Sequence, residues 1–256
     1  MLKIIKLFDN VSIGSYNICL GLGMIAAFLF LDSQMKKEKI SQKTESQFYI
    51  SLICAFIIGF IGADIFEFLF HHDKPFTIHN LLQSGITFYG GFVTGILVFL
   101  LISYFLKLNI LFFINFSIPS LVVAHAFGRI GCFLGGCCFG CPTNSIFGVV
   151  FPKNSLPYDF YKGALPIHPT QLYESIFLFL LFFILIKYIS FNYRTIVYLI
   201  FYGIFRFLLE YLRGDDRGSI LNSSLSPSQI ISIILFISGI LLFFIAKNNQ
   251  QKKNLF

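Results

Sequence analysis

The chain of 256 residues is 56% hydrophobic and only 12% charged, with a mean hydropathy of +0.79. Soluble domains carry about a quarter charged residues, so this composition excludes a soluble globular protein and fits a bilayer. The net charge of +7 does not indicate nucleic acid, because the lysines and arginines are scattered at the ends of apolar runs rather than gathered into one patch.

A spanning helix needs roughly 20 mostly apolar residues. That rule predicts an all-α polytopic membrane protein with about seven transmembrane helices, at 12–31, 48–70, 88–106, 110–127, 172–190, 195–212 and 228–246. A long connection, roughly 128–171, separates the fourth from the fifth. The whole of 1–256 reads as a single integral membrane domain, with 247–256 as a disordered cytoplasmic tail. The first apolar run is too long, and lacks the small-residue cleavage site, for a removed signal peptide. Lys36, Lys37, Lys39 and Lys43 crowd the first connection, and Lys107, Lys187, Arg194 and Lys247 fall on the same side. Positive charge marks the cytoplasmic side, so the N-terminus and the 128–171 loop are expected outside. No internal repeat of the transporter kind is apparent.

Charge within a membrane span costs about 2.5–3.5 kcal/mol per residue and points to function. In chain order, the second helix carries Asp64 and Glu67, followed by His71, His72 and Asp73. Such a cluster can bind metal, but at a helix end open to water it reads as a solvated face. Tyr89, Gly90 and Gly91 open the third helix, with Gly91 and Gly95 in small-xxx-small spacing. These glycines fit either close helix packing or backbone approaching a ligand. HPTQLYES opens the fifth helix. Pro169 suits the first helical position, Gln171 and Glu174 share a face, and His168 stands where a helix N-terminus attracts anions. In the sixth helix, Tyr202, Arg206, Glu210 and Arg213 fall on one side of the helical wheel, a polar stripe turned inward. SPSQ at 226–229 is a capping box with proline second and reads as structural.

The stretch GRIGCFLGGCCFGCPT at 128–143 puts Arg129 in a glycine-flanked turn after an apolar helix, followed by Cys132, Cys137, Cys138 and Cys141. A guanidinium fork matches phosphate bidentately, so Arg129 and Arg206 form a candidate two-cation clamp for an anionic headgroup. The cysteines admit three readings: structural disulfide or small-residue packing, a redox CxxC at Cys138–Cys141, or a metal site. Adjacent Cys137 and Cys138, and four ligands within ten residues, would demand a tight wrap. No metal and no cofactor are therefore expected.

With these motifs in order, the chain resembles the prolipoprotein diacylglyceryl transferases, seven-helix bacterial membrane enzymes, over nearly its whole length. The matching pieces are Tyr16 in the first helix, YGG at 89–91, GRIG at 128–131, HPTQLYE at 168–174 and YGIFRFLLEYLR at 202–213. The resemblance implies transfer of a diacylglyceryl group from phosphatidylglycerol to the lipobox cysteine of a prolipoprotein, with glycerol phosphate leaving. Its implied partners are phosphatidylglycerol, prolipoprotein signal peptides and membrane lipid, in the bacterial cytoplasmic membrane with the active site toward the outer face. It assigns catalysis to Arg129, Arg206, Tyr89 and Glu210. It assigns substrate binding to Tyr16, Gly90, Gly91, Gly131, Gly140, His168 and Tyr202.

The chain departs from the family pattern in two places. Tyr89 stands where the family has His, a favoured base, which leaves Tyr89, His125 or His168 to assist proton removal. The family's N-F-x-N-x-E polar positions are Cys132, Gly135 and Cys137 here, while Gly140 is retained. The alternative reading is an intramembrane thiol–disulfide oxidoreductase using Cys138 and Cys141, which leaves the Arg206 stripe without a task.

Overall fold

The computed structural model describes residues 4–8, 11–71, 77, 88–215 and 225–253. Among them, helices carry nearly all of the architecture: α1 (Ser15–Lys37), α2 (Gln42–His71), α3 (Phe88–Phe105), α4 (Ile110–Gly135), the short α5 (Leu156–Phe160), α6 (Thr170–Lys187), α7 (Arg194–Glu210) and α8 (Pro227–Lys253). Two small antiparallel pairs accompany them. One joins β1 (Ile4–Phe8) to β2 (Val11–Gly14), and the other joins β3 (Val149–Val150) to β4 (Pro166–Ile167).

Five of the expected spans are long and apolar enough to cross a membrane: α1, α2, α4, α6 and α8. The apolar part of α3 and the 17 residues of α7 fall short of that length, so the count of seven is met by helices but not by full-length spans. Large apolar side chains stay exposed along these helices, among them Val93, Leu97 and Leu101 on one stripe of α3. Soluble monomers rarely expose contiguous apolar surface of that extent. The chain is a multi-pass membrane protein.

Several boundaries differ from expectation. A hairpin precedes α1, which starts at Ser15 rather than residue 12. α4 continues to Gly135 and takes GRIG into its last turns, so Arg129 sits on a helix and not in a turn. The helix tolerates glycine there because α1 packs on it. A Cβ at Gly131 would stand 3.1 Å from the Tyr16 ring and 3.2 Å from Cys19 Cβ, so tertiary contact overrides the weak intrinsic propensity. α8 runs to Lys253, into the stretch expected as a tail. His72 and Asp73 lie outside the described residues, as does the side chain of His71.

The chain forms two compact units, residues 33–114 and residues 1–32 with 115–256. In the smaller unit α2 packs on α3 through small residues. A Cβ at Gly91 would lie 3.1 Å from both Ala63 Cβ and the Gly59 carbonyl oxygen, and one at Gly90 would strike Phe66. Gly90 and Gly91 thus serve close helix packing. Phe48 stacks on Phe113 at 4.5 Å and meets Phe99 edge-on, further along the same helix pair.

In the larger unit, polar tethers fix the helices that carry the charged residues. Ser175 of α6 donates to the Ala126 carbonyl of α4 at 3.0 Å. Asn115 of α4 accepts from the backbone N–H and hydroxyl of Thr195 at the start of α7. Phe177 and Phe205 stack at 3.9 Å between α6 and α7. Gly203 lets α7 approach α8, since a Cβ there would come within 2.9 Å of the Ser232 carbonyl oxygen.

Gly203→Val is therefore expected to force α7 from α8. Overpacking of this kind costs about 1–3 kcal/mol, readable as a lowered thermal midpoint of the detergent-solubilised protein. An unchanged midpoint would show that the crossing is looser than described.

Candidate active site

Three helices of the larger unit converge on one buried carboxylate. Glu174 sits one turn inside α6, fully buried. The Arg129 Nε of α4 lies 3.0 Å from its Oε2. Tyr202 of α7 donates its hydroxyl to Oε1 at 2.9 Å, and His125 Nε2 of α4 lies 3.6 Å from the same oxygen. His125 and Arg129 are four residues apart on α4 and so share a face. The His125 ring meets Tyr202 edge-on at 5.3 Å, and Tyr198 stacks on Tyr202 one turn away. An ionised carboxylate without partners would be expelled from such a place; here three side chains surround it.

A second group lies between α7 and the start of α8. Arg206 Nη2 stands 2.7 Å from Glu210 Oε2, an i,i+4 pair, and donates to Ser228 Oγ at 2.9 Å. Ser226 donates to the other Glu210 oxygen at 2.8 Å. The capping box forms as expected, with Ser226 N–H donating to Gln229 Oε1 and Gln229 N–H to Ser226 Oγ. It is more than structural, because Ser226 and its neighbour Ser228 also hold this ion pair. Tyr202, Arg206 and Glu210 are buried as the stripe predicts. Arg206 Nη1 is buried without a hydrogen-bond partner. The electrostatic reach of Arg206 extends to Glu174, which links the two groups. The clamp is not two bare cations: each guanidinium is oriented by its own carboxylate.

Arg213 leaves the stripe. α7 ends at Glu210, and Arg213 lies in the turn beyond, where it grips Asp215 through two bonds of 2.8 and 2.6 Å. Burial works against its cation, but the Asp215 carboxylate outweighs that and holds the guanidinium pKa above its ordinary value. This turn is sewn to the cysteine loop. Gly140 bridges Arg213, Cys141 N–H donates to the Leu212 carbonyl, and Gly214 N–H donates to the Phe139 carbonyl.

The loop after α4 returns to α6. Gly140 N–H donates to the His168 carbonyl, and a Cβ at Gly140 would collide with that oxygen. His168 is paired to the Tyr173 hydroxyl at 3.2 Å, and Pro169 takes the N-cap of α6 rather than its first turn. Gln171 Nε2 donates to the Cys137 carbonyl at 2.6 Å, and the Thr170 hydroxyl donates to that of Cys138 at 2.9 Å. Cys138 adopts a left-handed φ of 62° just after Gly136 at 78°. For a residue with a side chain that conformation costs roughly 1–2 kcal/mol, so the tethers hold it. The result is that the sulfur atoms of Cys132, Cys137 and Cys138 lie within 4.8 Å of one another. The tight wrap that argued against a cluster is achieved by the helix end and the left-handed turn. None of the six cysteines is joined to another in a disulfide.

Tyr16 is partly exposed where α1 crosses Gly131. Gly90 and Gly91 sit against α2 in the smaller unit, and the side chain of Tyr89 lies outside the described residues. Glu174 is the residue sequence reasoning undervalued. The signal was available: it is the single acidic residue in a mostly apolar 18-residue helix, and such a residue needs a buried partner.

The pattern of the prolipoprotein diacylglyceryl transferases matches residues 3–245. The chain belongs to that family. Among relatives, phosphatidylglycerol–prolipoprotein diacylglyceryl transferase 2 of Clostridium perfringens is 36% identical over 252 residues, covering 95% of each chain. The transferase of Clostridium tetani is 34% identical over 250 residues, covering 94% of this chain and 96% of its own. That of Rickettsia africae is 29% identical over 245 residues, covering 90% of each. The family resemblance thus extends through both compact units and through the loop that carries the cysteines.

Removing one partner of a buried ion pair commonly costs about 3–5 kcal/mol, because the other charge is left uncompensated. Glu174→Gln should therefore destabilise the protein by that order, whereas adding Arg129→Gln to it should restore part of the loss. A thermal or denaturant cycle over the four variants reads this. Additive losses would show that the two side chains do not act as a pair.

Proposed function

We propose that the protein transfers a diacylglyceryl group from phosphatidylglycerol to the lipobox cysteine thiol of a prolipoprotein and releases glycerol phosphate. It acts in lipoprotein biosynthesis, in the bacterial cytoplasmic membrane with its site toward the outer face. The observation that carries this reading is the pair of guanidiniums, Arg206 buried and Arg129 half-buried, each oriented by a carboxylate. Arg206 adds an unpartnered Nη1. Fixed cations suit the departing phosphate, because oriented donors in a dry site need no reorganisation as charge develops. The names of the relatives supply the substrate class.

In this reading Arg129 and Arg206 bind the phosphate. Glu174 and Glu210 set their orientation, and Tyr202 and Tyr16 shape the headgroup pocket. Gly131 and Gly140 allow the close approaches that bring α1 and α6 to it. His168, paired to Tyr173 at the start of α6, is a candidate contact to the substrate. The acceptor thiol, of ordinary pKa near 8.5, must lose its proton before it attacks; Tyr89, His125 and His168 are candidate acceptors. The chemistry asks for no redox cofactor. Thiol–disulfide exchange finds no support, since Cys138 clusters with Cys132 and Cys137 and Cys141 stands outside that cluster.

Arg129→Ala and Arg206→Ala should each lower transfer from phosphatidylglycerol by about 100- to 1000-fold, the usual loss when one such donor is removed. Arginine to lysine should recover little, because the planar fork is gone. Parental rates in both alanine variants would refute the phosphate role.

The lysine cluster at 36–43 sets the expected orientation. A reporter fused after Phe256 should read cytoplasmic, and one inserted beside Asn154 should read external. The inverse readout at both points would move the site to the inner face.

A further inference from the structure

The three-thiol cluster has no task in the phosphate clamp, and the family pattern has other residues at two of its positions. Its geometry fits a metal. In a tetrahedral zinc–thiolate centre, with bonds near 2.3 Å, neighbouring sulfurs sit about 3.8 Å apart. Here three lie within 4.8 Å, so a contraction of about 1 Å would complete the set. A disulfide could use only two of the three. The sulfurs come from different backbone settings: Cys132 from the last turn of α4, and Cys137 and Cys138 from the turn pinned by Gln171 and Thr170. The left-handed backbone at Cys138 is what lets adjacent side chains aim at one point.

Charge also fits. Three thiolates around a dication leave one net negative charge, and Arg129 lies one helical turn before Cys132. The Arg213 guanidinium also exerts a positive field on Cys138. Closed structural zinc sites use four protein ligands, whereas reactive ones keep a position for water or substrate. No fourth His, Cys, Asp or Glu joins the three among the described residues, and all three are only partly buried.

We propose that Cys132, Cys137 and Cys138 bind one thiophilic d10 cation, zinc by its chemistry, and that its fourth position takes the acceptor thiol. The second half of this inference rests on the transferase reading; the first does not. Metal coordination deprotonates a thiol outright, which supplies the activation that the family's histidine cannot supply where Tyr89 replaces it. On coordination the acceptor's S–H proton passes to water. A sulfur lone pair then forms the C–S bond to the terminal glyceryl carbon, and the C–O pair leaves with glycerol phosphate. The metal keeps its oxidation state throughout.

The test uses the full-length protein, purified in detergent under reducing conditions and loaded with Zn²⁺ or Co²⁺. Elemental analysis should find one zinc per chain in the parent and in Cys54→Ser and Cys141→Ser. It should find almost none in Cys132→Ser or Cys137→Ser, with elution and thermal midpoint showing that these remain folded. Should either serine variant fail to fold, Cys138→Ala and the thiolate-to-cobalt absorption of the loaded parent decide the same question. A lipobox peptide should shift the cobalt spectrum, and its cysteine-to-serine counterpart should not. Substoichiometric zinc indifferent to these changes, or a cobalt spectrum without thiolate character, overturns the site. A spectrum blind to the peptide thiol overturns the role of the fourth position. Parental transfer by metal-free Cys132→Ser would overturn that role while leaving the transferase reading intact. Metal bound at the three thiols without any transfer from phosphatidylglycerol would instead refute the transferase reading and leave the site standing.

Discussion

A single buried carboxylate organises the larger unit. Glu174 on α6 faces Arg129 and His125 from α4 and receives the Tyr202 hydroxyl from α7. Burying an ion in a membrane protein is unfavourable unless its partners are already in place, so this cluster specifies how three helices must meet. The surrounding packing serves that meeting. Ser175 binds the α4 backbone beside Ala126, Phe177 stacks on Phe205, and Gly203 and Gly131 let neighbouring helices close in. The same pairing that satisfies the carboxylate fixes the plane of the Arg129 guanidinium. Structure and proposed function thus depend on one interaction.

The second ion pair repeats the device at the α7–α8 junction. Arg206 and Glu210 are held by Ser226 and Ser228, which also begin α8. Helix capping and charge positioning are therefore done by the same residues. Among the described residues, the buried charged side chains, Glu174, Arg206 and Glu210, all belong to these two groups, which is why the arginines read as functional rather than as surface chemistry.

Much of this was legible in the sequence. The 3.6-residue period alone placed Tyr202, Arg206 and Glu210 on one buried face, and hydropathy located the helices, although individual ends missed by up to eight residues, as at the end of α4. What escaped has physical causes. Arg213 fits the wheel but lies past the helix end, since periodicity cannot see where a helix stops. GRIG looked like a turn because glycine has low helix propensity, and only the contact with α1 reverses that. Glu174 was visible as a lone acid in an apolar helix, but its three partners lie 28 to 49 residues away and no local pattern reports them. The gathering of Cys132, Cys137 and Cys138 depends on a left-handed residue and two hydrogen bonds from α6. Sequence spacing could only say that such a wrap was tight.

The central claim, that two carboxylate-oriented arginines handle a phospholipid phosphate during transfer to a thiol, has a direct measurement. The purified protein is reconstituted into vesicles containing phosphatidylglycerol and given a lipobox peptide, and the peptide is followed by mass spectrometry together with released glycerol phosphate. The account predicts a thioether-linked diacylglyceryl adduct on the peptide cysteine, with glycerol phosphate appearing in equal amount and neither product forming when phosphatidylglycerol is left out. A peptide that keeps its free thiol, or that changes only to a disulfide while no lipid is consumed, would contradict it.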